Sequence, residues 1–175
     1  YQNSTEPIIK DIFTFLIKNN VEMIIESRFL KILFEKNLIE KEYPTFESYT
    51  ELNSSFDMLI SIGGDGTILR AATLVRDSGV PILGINAGRL GFLATVQKDN
   101  IDKFMQFIID KKYSVSKRTL LSLTCSPDNE AIQDINFALN EISVSRKETT
   151  SMITIETYLN DEYLNSYWAD GLIIA

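Results

Sequence analysis

Met58-Leu59-Ile60-Ser61-Ile62-Gly63-Gly64-Asp65-Gly66-Thr67-Ile68-Leu69 decides how the rest of the chain is read. The mostly apolar stretch Asp57 to Ile62 predicts a buried strand, and Thr67 to Asp77 predicts a helix with Ile68, Leu69, Ala72 and Val75 on one side. Between them stand Gly63, Gly64 and Gly66, which tolerate the dihedrals of a tight turn and let a ligand approach the main chain. The N–H groups that open the following helix point at whatever anion lies there. Taken alone, Gly-Gly-Asp-Gly is an ordinary turn composition. Framed by an apolar strand and an amphipathic helix, it predicts a phosphate site. Asp65 is the odd member, because a carboxylate repels phosphate; its presence predicts a second job, such as accepting a proton from an attacking hydroxyl.

Downstream, Val80 to Ile85 predicts a second strand after the stop signal at Gly79. It runs into Asn86-Ala87-Gly88-Arg89-Leu90-Gly91-Phe92-Leu93, another flexible loop at the carboxyl end of a strand, where ligands collect in open α/β sheets. Leu90 and Leu93 read as core, whereas Asn86 and Phe92 offer an amide and a ring to a nucleotide. Upstream, Pro7 opens a helix that closes at Asn19-Asn20; Val21 to Glu26 reads as a strand, and Ser27 as the cap of a helix running to Asn37. Thr45 to Phe56 reads as a loop with one helical turn, and Ile101 to Lys111 as a helix. Alternating helices and strands predict parallel pairing.

After Tyr113 the pattern changes. Leu120 to Cys125, Phe137 to Ser145, Met152 to Leu159 and Tyr163 to Ala175 read as strands, with Asn160-Asp161-Glu162 as a hairpin turn. The expected division is therefore an α/β domain with a parallel sheet over residues 1–112 and a β-rich, sandwich-like domain over 113–175, truncated at its C-terminus. The chain opens at Tyr1 and closes inside the apolar run Leu172 to Ala175, which reads as a fragment.

Composition narrows the chemistry. Hydrophobic residues make up 45% of the 175 positions, enough for a sizeable core, and the net charge of −7 argues against broad nucleic-acid or anionic-membrane binding. No apolar run approaches the ~20 residues that span a bilayer. A single cysteine, Cys125, forms no intrachain disulfide and reads as a small core residue; a reducing cytoplasm is expected. There is no histidine, so Ser-His-Asp and Cys-His catalysis are excluded within these residues and any general base is a carboxylate, Lys, Tyr or water.

Four blocks, Gly63-Gly64-Asp65-Gly66-Thr67, then Gly84-Ile85-Asn86 through Gly91-Phe92-Leu93, then Asn140-Glu141, then Asp170-Gly171-Leu172-Ile173, resemble the NAD kinase family in type, order and spacing. The first block is shared with diacylglycerol, sphingosine and 6-phosphofructo-kinases; the second and third separate NAD kinases from those. The resemblance implies phosphorylation of NAD at the 2′-hydroxyl of its adenosine ribose to give NADP, with ATP or polyphosphate as donor. It implies Asp65 as general base, with Gly63, Gly64, Gly66, Thr67, Asn86 and Phe92 around the nucleotide and Arg70 as a basic residue near it. Asn140 and Glu141 match the pair that holds the adenosine and ribose groups of NAD, and Asp170 an acidic residue near the nicotinamide ribose. It also implies a homodimer or homotetramer. Mg²⁺ is expected to arrive with ATP rather than in a protein-only cage, so no metal ligands are named. Against this stand a lipid or sugar kinase carrying the same glycine-Asp loop, and a non-catalytic NAD or NADP sensor. Taken singly, Asn140-Glu141 reads as an exposed strand end and Arg70 as a solvated helix residue. Tyr167 and Trp168 read as packing or interface residues.

Overall fold

A computed structural model describes residues 5–88, 91–94, 96–97, 101–147 and 151–175, with the side chains of Gln97 and Ala131 outside that description. Expectations for Arg89 and Leu90 fall outside the described residues. The chain forms two compact units, Tyr1–Ser116 and Lys117–Ala175.

In the first unit, α1 (Glu6–Lys18) has Pro7 in its first turn, Glu6 at its positive end and Lys18 at its negative end, each favourable to the helix dipole. Asn20, with φ of 54°, ends it in a conformation that asparagine tolerates. Only Ile25–Glu26 of the expected strand 21–26 pairs, as β1, with β2 (Thr45–Phe46) in parallel. The cap of α2 (Ser27–Glu35) is Glu26 and not the expected Ser27: the Glu26 carboxylate accepts the Phe29 N–H at 2.8 Å, while the Ser27 hydroxyl donates to the Phe46 carbonyl at 3.3 Å. The expected loop 45–56 thus contributes β2 and a 3₁₀ turn at Tyr49–Glu51.

The glycine-Asp stretch and its flanks form β3 (Leu59–Gly63) and α3 (Asp65–Val75). The helix begins at Asp65, two residues before the expected Thr67, because a carboxylate in the first turn suits the helix N-terminus. Its inward stripe runs through Ile68, Ala71 and Val75; Leu69 and Ala72 are half-buried. β4 (Ile82–Asn86) lies between β3 and the short β5 (Val96–Gln97), with both neighbours parallel to it. Register pairs Ile62 with Ile85 and Ile85 with Val96, which puts Ile85 at the centre of the sheet with none of its surface exposed. α4 (Ile101–Ile109) packs against α1, and one apolar cluster joins α1, β1, α2, β3, β4, β5 and α4. Ile9, Ile12, Leu33, Ile85 and Met105 are its fully buried members. A cavity of about 820 Å³ in this unit is lined by Ile25, Phe46, Ile60, Ser61, Leu74 and Met105, among others. Among the described residues Ser61 Oγ is buried without a hydrogen-bond partner.

In the second unit the strands are shorter than their sequence runs. Leu120 to Cys125 yields only β6 (Leu121–Ser122), which leaves Cys125 exposed rather than in a core. A short helix, α5 (Glu130–Gln133), follows. Phe137 to Ser145 divides into β7 (Phe137–Ala138), antiparallel to β6, and β8 (Ile142–Ser145). β9 (Ile153–Leu159) and β10 (Glu162–Ala169) form a hairpin, with Asn160 and Asp161 both at positive φ, as a tight two-residue turn demands. Tyr163 to Ala175 is broken at Asp170, beyond which β11 (Gly171–Ile174) pairs antiparallel with β8. Three two-stranded antiparallel sheets result. Ile153, Ile155 and Thr157 alternate half-buried with exposed neighbours on β9, a period of two, while β10 is exposed almost throughout, with Trp168 at 75%.

Candidate functional site

Gly63 leaves β3 with φ of 157°, a region that side chains avoid, and a Cβ there would lie 2.9 Å from Thr67 Cβ. The turn is therefore closed by glycine for reasons internal to the chain. At Gly64 and Gly66 the opposite holds: a Cβ at either would meet open space, so among the described residues nothing demands glycine there by its bulk. Gly64 adopts extended dihedrals as the helix N-cap, and its carbonyl accepts the Thr67 N–H at 2.9 Å. Gly64, Gly66 and Thr67 are exposed.

The side chain of Asp65 turns toward the second glycine loop. Oδ2 accepts the Phe92 N–H at 3.0 Å, and Oδ1 accepts those of Leu93 at 3.1 Å and Ala94 at 3.4 Å. The Phe92 amide above all, helped by those of Leu93 and Ala94, holds the Asp65 carboxyl below the usual carboxylate range, against the opposing pull of partial desolvation. The proposed base is thus anionic over a wide pH range and less basic than a free aspartate. An ionised carboxylate has about four acceptor positions, of which three are taken; one on Oδ2 remains for a hydroxyl.

Asn86 ends β4 buried, and its Oδ1 accepts the Gly88 N–H at 2.9 Å, which bends the chain into the second loop. Phe92 donates its amide to Asp65 while its ring is 73% exposed. Leu93, read as core, is half-buried. Arg70 lies on α3, one turn beyond Asp65, and its Nη2 pairs with Glu26 Oε1 at 3.0 Å, tying α3 to the junction of β1 and α2. The structure thus brings Gly63, Gly64, Asp65, Gly66, Thr67 and Phe92 together at the carboxyl ends of β3 and β4, with Asn86 supporting the loop.

In the second unit Asn140 and Glu141 precede β8, the first half-buried and the second exposed. Asp170 lies at the far end of the β8–β11 pair, because register sets Gly171 against Ser145 and Ile174 against Ile142. Five residues at ~3.4 Å each put Glu141 roughly 17 Å along the strand from Arg146. Arg146 donates its N–H to the Asp170 carbonyl at 2.9 Å, and its Nη1 lies 3.3 Å from Asp170 Oδ1. These three residues therefore do not converge on one atom. Sequence reading missed Arg146, whose partner is 24 positions away and is set only by strand register. It also missed the amides of residues 92–94, because main-chain donors leave no mark in a sequence. Among the described residues no three His, Cys, Asp or Glu side chains gather as a metal site, and no helix is long and apolar enough to cross a membrane.

Residues 1–113 match the family model for the ATP-NAD kinase N-terminal domain. Over all 175 residues the chain is 70% identical to an NAD kinase of Flavobacterium johnsoniae, of which it covers 60%. It is 34% identical over 170 residues to an NAD kinase of Methanothermobacter thermautotrophicus, covering 96% of this chain and 54% of that protein. The chain thus spans little more than half the length of these curated relatives. Among solved structures, a yeast NADH kinase complexed with NADH superposes with a TM-score of 0.80 over 99% of this chain and 54% of its own, at 22% identity, a likeness of fold. An NAD kinase from Archaeoglobus fulgidus in complex with ATP gives 0.55 over 86% of this chain and 58% of its own, at 28% identity.

Proposed function

The chain belongs to the ATP-NAD kinase family, and from that premise we propose that the full-length protein transfers the γ-phosphoryl group of ATP to the 2′-hydroxyl of the adenosine ribose of NAD, giving NADP. The observation that carries this reading is the Asp65 carboxylate: it sits at the start of α3, beside two glycines whose open faces admit a ligand to the main chain, with one acceptor position left for a hydroxyl. A ribose hydroxyl is a poor nucleophile. A carboxylate held by three amides is a weak base, so Asp65 acts chiefly by orienting that hydroxyl and takes its proton late, as the oxygen–phosphorus bond forms. Alignment of the two substrates and neutralisation of phosphate charge supply most of the acceleration. Mg·ATP is the substrate, its ion arriving with the nucleotide. Gly63, Gly64, Gly66 and Thr67 face the phosphates, Asn86 and Phe92 the nucleotide, and Arg70 is a cation that a phosphate can draw from Glu26.

In the same reading residues 1–112 form the domain carrying the glycine-Asp loop, and residues 113–175 begin a sandwich-like domain that binds NAD through Asn140 and Glu141. The distance along β8 from Glu141 to Arg146, the partner of Asp170, supports giving Asp170 to the NAD site of a neighbouring subunit in a homodimer or homotetramer. The protein works in the cytoplasm.

Incubating the full-length protein with Mg·ATP and NAD and assaying NADP tests the activity. Asp65→Asn is expected to lower turnover by 10²-fold or more with NAD affinity little changed; near-normal turnover would remove Asp65 from its role. A lipid or sugar kinase would leave NAD unmodified under these conditions. A sensor would bind NAD without forming NADP.

A further inference from the structure

The loop that grips Asp65 has a steric condition of its own. A Cβ placed on Gly91 would overlap Cγ, Oδ1 and Oδ2 of Asp65, the whole carboxylate. The backbone of Gly91 therefore lies flat against that group, and the demand for glycine comes from the space the carboxylate occupies. The other end of the same segment lies close to the sheet. A Cβ on Gly84, in the middle of β4, would lie 3.2 Å from Ala94 Cα, so the loop rests on the sheet at Ala94 while it closes on Asp65 at Gly91. Two glycines from different elements thus wedge residues 91–94 between a strand and a carboxylate.

We propose that Gly91 is a positioning residue: its missing side chain lets the 91–94 backbone clamp the Asp65 carboxylate, and the clamp fixes the one direction from which Asp65 accepts the substrate hydroxyl. The proposal rests on the reading of Asp65 given above. The helix alone fixes only the Asp65 backbone; the carboxylate on a free side chain would sample several rotamers. Three amides with no rotamer freedom remove that choice, which is how a preorganised site avoids reorganisation during reaction. Asp65 is then an acceptor aimed by the loop. Among the described residues, β3, β4 and positions 91–94 carry no titratable group, and Arg70, the next charged residue on α3, is paired with Glu26.

The test uses the full-length protein carrying Gly91→Ala, read by amide hydrogen exchange at residues 92–94 and by the pH dependence of kcat/KM for NAD. Opening the clamp is expected to speed exchange at these three amides about tenfold or more and to lower kcat/KM on the order of 10²-fold, the scale that an ångström of misplacement produces. Having lost its donors, the carboxyl titrates closer to the ordinary range, so the acid limb of the profile moves to higher pH. Unchanged exchange and an unmoved acid limb would overturn the proposal, even where Asp65→Asn confirms the base. Conversely, an active Asp65→Asn together with faster exchange in Gly91→Ala would sink the base and keep the clamp. The Asp65→Ala background guards against a mere folding defect. With the carboxylate gone, adding Gly91→Ala is expected to change exchange no further and to rescue folding where the single variant is unstable. An equal effect in both backgrounds, or failure of both to fold, would refute the clamp.

Discussion

Replacing Ile85 by alanine tests whether the sheet centre supports the two loops. Ile85 is wholly buried, lies in β4 with Ile62 and Val96 as its strand partners, and immediately precedes Asn86. Alanine lacks three of its side-chain carbons. At ~0.8 kcal/mol each the lost transfer energy is ~2.4 kcal/mol, and the cavity left between two flanking strands brings the cost to about 3–4 kcal/mol, inside the range for such core truncations. Ile85→Val removes one methyl and is expected to cost about 1 kcal/mol. Ile17→Ala, at a position 55% exposed on α1, is the control and should stay within about 0.5 kcal/mol. Urea unfolding of the full-length protein followed by circular dichroism measures all three. With a central strand loosened beside Asn86, the exchange of amides 92–94 should quicken in Ile85→Ala as well. An Ile85→Ala cost below about 1 kcal/mol would refute the placement of this residue, and with it the sheet order that carries both loops.

Ser61→Ala removes a buried hydroxyl that lacks a partner among the described residues, so it should leave stability unchanged or raise it by up to about 1 kcal/mol; a loss above that in urea unfolding would show that the hydroxyl is satisfied. Arg70→Ala breaks an ion pair whose arginine is half exposed and should cost under ~1 kcal/mol, since Glu26 keeps its cap on Phe29. A fall in NADP formation with Arg70→Ala, at unchanged stability, would give the guanidinium its phosphate role, and unchanged kinetics would withdraw it. Asp65 also links stability to pH. Its folded-state carboxyl titrates below the unfolded one, so its contribution is complete above the unfolded value and disappears as pH falls through the folded value. Asp65→Asn should therefore flatten the loss of stability on the acid side, and an identical acid profile would contradict the three amide bonds.

What could be read from the sequence was what local chemistry dictates. β3, α3 and β4 follow from apolar runs punctuated by Gly63, Gly64 and Gly79, and the hairpin from Asn160-Asp161, each decided within a few residues. Apart from the start of α3, two residues early for a local reason, the misses depend on distant partners. The break at Asp170 answers to the pairing of β11 with β8, and the shortening of the strand before Cys125 to the two residues that β7 can match. The same limit governed the site. Asp65 stood out by type and setting, but its occupation by amides 27 to 29 positions away is a tertiary fact, as is the need for glycine at position 91. Arg146 has no motif around it, and only strand register sets it against Asp170.

The hairpin of β9 and β10 carries the only tryptophan of these 175 residues, three-quarters open to solvent. Indole emission moves to shorter wavelength as water is withdrawn from the ring, so this stretch has an optical gauge of whatever comes to lie over it. Excitation at the red edge, or quenching by iodide, would follow in real time the arrival of a further segment or a second subunit on β10, without a label and without disturbing the carboxylate in the other unit.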